Sequence, residues 1–253
     1  MNMVSYTYDG SFYGLLTVIY EIYYSHSLPL DISIEGLISH MQGSFLNTSI
    51  HLETDMVKAE KVNEAILHKI SAVALENVYH AYLSSVKGKE LIIYNYVKLG
   101  FKLGKAVESH LYAEEVASLQ KILKKVHREL AYIVGFIRFI QVNNFYYAKY
   151  EPDHNITELI APHFAARFAD QYFILHDIRR NMAAIYDTKE WVLTSFSQAE
   201  LKNLENLEED NTTCYETLWK EYFVNVAIKE RTNERQQRLY MPIRYRKHML
   251  ETK

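Results

Sequence analysis

The chain of 253 residues is 49% hydrophobic and 23% charged, with a formal net charge of −3, which is enough apolar length to bury a substantial core without disulfides or a structural metal. Its single cysteine, Cys214, excludes an internal disulfide and a cysteine-rich zinc site, and fits a reducing, cytoplasmic compartment. The start MNMVSYTYDG has no basic residue before an apolar run, and AYIVGFIRFI is too short and carries a charge, so neither a signal peptide nor a membrane partner is expected.

In chain order, VSYTYDGS reads as a strand and turn, with Asp9 or Ser11 placed to cap a helix. Phe12, Leu15, Leu16, Ile19, Tyr20 and Tyr23 then recur at helical spacing on one face. SLPLD, around Pro29, is read as the end of that helix. Helical periodicity returns from Asp55 to about Ser84 and from about Gly88 to Gly135, with loops near Gly43 and at Lys87 to Lys89. The pattern changes in GFIRFIQV and FYYAKYE, two strands separated by Asn143-Asn144, a pair that tolerates the positive φ of a tight hairpin. NITELIAPHFAARFAD reads as a helix with Asn155 and Glu158 as a capping box, and YFILHD, MAAIYD and WVLTSF as three more strands. Ser197 with Glu200, and Thr213 with Glu216, signal two further helices. The expectation is one α+β domain over 1–253: a mainly helical part (1–134), an antiparallel sheet with one helix (135–196) and C-terminal helices (197–253).

The densest polar cluster lies in YEPDHNITELIAPHF and RFADQYFILHDIRR. Glu151, Asp153, His163 and Asp177 are candidates for acid, base or metal roles, and His154, His163 and Asp177 for metal ligation, because imidazole and carboxylate serve both. Their spacing matches no compact metal motif, so a shared site would have to be assembled by the fold. In the bland alternative, Asp153 and Asn155 belong to a turn and Asp177 pairs with Arg179 or Arg167. No phosphate-binding glycine loop or nucleophile elbow is present, so no motif identifies a cofactor, which stays unknown from the sequence.

The charge is unevenly spread. Residues 229–253 hold eight Lys or Arg against three Glu, so the last tenth of the chain is +5 and the remainder −8. Helical spacing would align Arg231, Arg235 and Arg238, and Pro242 would turn the chain so that Arg244, Arg246 and Lys247 follow. Planar guanidinium forks suit phosphate oxygens, and Tyr240 and Tyr245 lie among them as bases' stacking partners often do. The competing reading is internal neutralisation by the acidic run Glu200 to Asp210.

Three segments, YTYDGSFYGLLTVIYEIY, the stretch from GFIRFIQVNN to MAAIYD, and LWKEYFVNVAIKERTNERQQRLYMPIRYRKHMLE, resemble a bacterial family of helical-plus-sheet proteins described as DNA metabolism or DNA repair proteins. Members occur beside a radical SAM protein, and some are fused to a uracil-DNA-glycosylase-like domain. The pattern includes Asp9, Glu151, His163, Asp177, Asn233, Gln237, Met241 and Arg244 of this chain. It departs at Arg246, where tryptophan is usual, and at Tyr172-Phe173, which replaces Pro-Trp. The resemblance implies a DNA-binding accessory working with a radical SAM or uracil-DNA-glycosylase-like partner. A hydrolase or lyase acting on nucleic acid through a His/carboxylate site, and a protein-interaction scaffold, are the alternatives.

Overall fold

The computed structural model describes residues 3–36, 48–209 and 233–249. The fold is α+β, and packing divides the chain into two compact units, Met1–Val126 and His127–Lys253.

The first unit is built on a three-stranded parallel sheet in the order β2-β1-β3, from β1 (Met3–Tyr8), β2 (Leu28–Ile34) and β3 (Thr48–His51). Helix α1 (Phe12–Ser25) returns the chain from β1 to β2, as a parallel pair requires. Its start is closely specified. Ser11 Oγ accepts from the Gly14 N–H at 2.9 Å, and the Asp9 carboxylate accepts from the Ser11 N–H, the Ser11 hydroxyl and the Thr54 hydroxyl. A Cβ at position 14 would run into Asp9 and Thr54, so only glycine lets this carboxylate lie against the helix. These bonds hold the Asp9 carboxyl below the usual range against the opposing effect of its partial burial. Of the two residues read as possible caps, Ser11 is the N-cap and Asp9 braces it.

The expectation around Pro29 is corrected. Helix α1 ends at His26, in the left-handed region with φ 51°, and SLPLD enters β2. Pro29 is tolerated there because β2 is an edge strand, and it lies opposite Val4 where the register slips between Val4 and Ser5. The loop expected near Gly43 lies outside the described residues. The long helical pattern that follows is interrupted into α2 (Met56–Ala65), a π turn at Ile66–Ile70, α3 (Ala72–Tyr82) and α4 (Lys89–Leu103). Ser71, in extended backbone, restarts the helix by accepting from the Ala74 N–H. Helix α5 (Glu114–Phe136) carries the chain past the division at Val126.

The second unit holds a five-stranded sheet in sequential order: β4 (Ile140–Val142), β5 (Phe145–Tyr150), β6 (Phe173–Asp177), β7 (Met182–Tyr186) and β8 (Trp191–Ser195). The hairpin turn is at Asn143, with φ 51°. The sheet is not wholly antiparallel: β5 and β6 pair in parallel, because α6 (Thr157–Arg167) lies between them in the chain and brings it back in the same direction. The capping box expected at Asn155 and Glu158 is not formed, since α6 starts one residue later than it requires, after Ile156, with no side-chain cap. Phe139 packs against Phe164, Phe168 and Phe173 with ring centroids 4.9 to 6.0 Å apart, which joins α6 to the sheet. Helix α7 (Gln198–Glu209) begins with the expected capping box: Glu200 accepts from the Ser197 N–H and hydroxyl, and Ser197 Oγ accepts from the Glu200 N–H. The cap expected at Thr213 and Glu216, and Cys214, lie outside the described residues. Helix α8 (Glu234–Tyr240) and a 3-10 turn (Ile243–His248) are the last described elements of the unit.

Candidate functional site

The C-terminal basic segment starts where Asn233 Oδ1 accepts from the Gln236 N–H at 3.1 Å and so caps α8. Pro242 stands between α8 and the 3-10 turn. Arg235 and Arg238, both exposed, lie on α8; Arg231, expected to extend their row, lies outside the described residues. Arg246 folds back, its Nε donating to the Met241 carbonyl at 3.1 Å.

Arg244, Tyr245, Lys247 and His248 meet the loop after β5 and the C-terminal half of α5 instead. Glu129, on α5, is 3% exposed. Its Oε1 accepts from the Tyr245 hydroxyl at 2.5 Å and the Asp153 N–H at 2.8 Å, and its Oε2 accepts from the His154 N–H at 2.7 Å. Three donors on one buried carboxylate tie together α5, the loop after β5 and the 3-10 turn. Burial and the Glu129 carboxylate both push the Tyr245 hydroxyl well above its ordinary range, so Tyr245 is a neutral donor. Arg244 donates to the Tyr245 hydroxyl at 2.9 Å, holds its guanidinium 4.7 Å from that ring's centroid, and approaches Asp153 at 3.3 Å. Arg179 takes the other Asp153 oxygen at 3.1 Å.

Beside this knot, Glu151 Oε1 accepts from Lys247 at 2.5 Å and from His248 Nε2 at 3.0 Å. The Lys247 bond, aided by His248, holds the Glu151 carboxyl below the usual range. Burial holds the His248 imidazole below its ordinary value even though Glu151 opposes this. A small pocket here is lined by the apolar Ile133, Phe136 and Ile137, by Tyr150 and Tyr245, and by the polar Lys149, Glu151, Arg244 and His248, with space for about one water.

The remaining predicted residues go elsewhere. Asp177 is fully buried; it pairs with Arg180 at 2.8 Å and accepts from the Arg179 and Arg180 N–H groups. Burial pushes its carboxyl up from the usual range while Arg180 pulls the other way. Arg180 also donates to the Pro152 and Asp153 carbonyls, so Asp177 shapes the loop that carries Asp153. His154 is buried, with its N–H on Glu129. His163 is exposed on α6, its ring edge-on to Phe164 at 5.1 Å. Among the described residues no hydrogen bond or ion pair joins His163 to Glu151, Asp153 or Asp177, and no three His, Cys, Asp or Glu side chains gather as a metal site. The fold therefore brings Glu151 and Asp153 together with Arg244 and Lys247, and not with His163.

Glu129 and His248 were not among the residues singled out from the sequence. Glu129 had a signal: it sits three residues after Val126 and four before Ile133, on the apolar stripe of α5, where an acid needs buried partners. His248 had none beyond its place in the basic run. Among the described residues Glu151, Asp153 and Glu129 meet this run, and Glu200, which starts the acidic run, is taken up by the α7 cap.

Residues 87–251 match a family described as a domain of unknown function (DUF4130). The match covers the whole of this site, from Glu129 to His248, and none of the parallel sheet of the first unit. No curated protein matches the chain.

Proposed function

We propose, from the premise that the chain belongs to the DUF4130 family, that it is a DNA-binding accessory protein whose contact surface is the C-terminal basic segment. One observation carries this reading. Arg244 and Lys247 remain 60% and 66% exposed although each faces a carboxylate, and Arg235 and Arg238 stand exposed on the preceding helix. Surface pairs of this kind contribute little energy and exchange readily for a phosphate, and four cations within thirteen residues suit a polyanion. The resemblance to DNA repair and DNA metabolism proteins supports DNA as that polyanion, with a radical SAM or uracil-DNA-glycosylase-like protein as the partner that does the chemistry. The hydrolase or lyase reading has less support, because His163 does not join the carboxylates.

The test is fluorescence anisotropy with labelled DNA across a salt series. Affinity should fall steeply with salt. Replacing Arg235, Arg238 and Lys247 together by Ala should flatten the log–log salt slope by about 2 to 3, at roughly 0.7 to 0.9 per lost phosphate contact. Arg244 is left in place because it braces Tyr245 and Asp153. Absence of binding by the unaltered protein at low salt would overturn the reading.

A further inference from the structure

We infer that this surface is built for unpaired rather than duplex DNA, with Tyr240, Leu239 and Ile243 receiving the bases; the inference rests on the DNA-binding reading above. Leu239 is 65% exposed, Tyr240 67% and Ile243 62%. Exposed apolar side chains are ordinary when scattered singly. Three within five residues, on either side of a proline turn, are not scattered. The backbone beneath them is held: the Leu239 carbonyl accepts from the Tyr132 hydroxyl at 3.5 Å, and Asn233 caps the start of α8. The side chains therefore stand outward on a supported piece of chain.

Charge identifies the occupant. Arg235 and Arg238 precede the apolar residues, and Arg244 and Lys247 follow them. A ligand that engages all of these side chains must offer both anionic groups and flat apolar faces. A duplex offers the phosphates but keeps its base faces stacked inside, which would leave the three side chains in water. A single strand offers both, since every base has a face that stacks on an aromatic ring whatever the sequence. Of the two tyrosines interleaved with the arginines, only Tyr240 is available. Tyr245 is buried, covered by Arg244 and hydrogen-bonded to Glu129.

The experiment compares a labelled thymidine oligomer with a duplex of equal length at one low salt concentration, for the unaltered chain, Tyr240→Ala and Tyr240→Phe. The expected result is at least tenfold tighter binding of the single strand. Tyr240→Ala should weaken single-strand binding about tenfold and duplex binding less than twofold, while Tyr240→Phe keeps the preference. Equal affinity for both DNAs, or a single-strand affinity that Tyr240→Ala leaves unchanged, overturns this inference and leaves DNA binding standing. Failure to bind either DNA overturns both. Sedimentation with anionic phosphatidylglycerol vesicles, without a single-strand preference, would overturn it in favour of a membrane surface.

Discussion

In Glu234–Tyr240 the arginines and the apolar side chains alike face solvent, whereas in Ile243–His248, only a proline turn away, Tyr245 is buried and Arg244, Lys247 and His248 are each matched to a carboxylate. Each stretch carries two arginines, a tyrosine and an aliphatic residue, yet Tyr240 is exposed and Tyr245 is buried. What fixes the second stretch is a set of carboxylate acceptors. Glu129, Glu151 and Asp153 lie where the second stretch meets β5 and α5. The second stretch is thus anchored by the acids the fold holds out to it, while Arg244 and Lys247 keep most of their side chains in solvent.

The comparison can be broken at the anchor. Glu129→Ala removes the acceptor for three donors, two of them main-chain, and should cost about 3 kcal/mol, since each buried donor left without a partner costs about 1 to 3. Chemical denaturation would measure it; a loss under 1 kcal/mol would mean the knot does not hold the segment. Tyr245→Phe removes one hydroxyl and keeps the ring, and should cost about 1 kcal/mol in the same assay. Lys247→Ala should cost about 0.5 kcal/mol at neutral pH, because the pair is largely solvated. Its pH dependence follows from the depressed Glu151 carboxyl. A carboxyl whose folded pKa lies below its unfolded value of about 4.3 stabilises above that pH and loses the contribution as pH falls through the folded value. The difference between Lys247→Ala and the unaltered chain should therefore shrink below about pH 4, and a difference that grows in acid would assign Lys247 to another partner.

Local chemistry was the readable part of this chain. Asn143-Asn144 announced a hairpin because few residue pairs accept positive φ, and Ser197 with Glu200 announced α7 because a capping box is complete within four residues. β2 was hidden by Pro29, which reads as a breaker unless the strand is known to lie at an edge, and that is a tertiary fact. β3 spans only four residues and carries no periodicity to detect. The parallel pairing of β5 and β6 was implicit in a helix placed between two strands, but neither strand alone states its direction. At the candidate site, charge counting found the basic residues and the carboxylates separately. It could not join them, because the contacts bridge about one hundred residues of chain, as between Lys247 and Glu151. His163 shows the converse: it shares a residue type with catalytic histidines and a stretch of chain with Glu151, yet α6 turns it to solvent.

The hydrogen bond between Tyr245 and Glu129 spans 116 residues. A ribosome adding about 5 to 20 residues per second places Tyr245 roughly ten seconds behind Glu129. Through that interval α5 and the loop after β5 can fold around the carboxylate, while its third donor is still missing and water stands in. Closing the knot therefore waits for Tyr245, and the arginines and apolar side chains around it acquire their final setting only then. A nascent chain halted before Tyr245 would contain the sheet of the second unit without a finished surface on it.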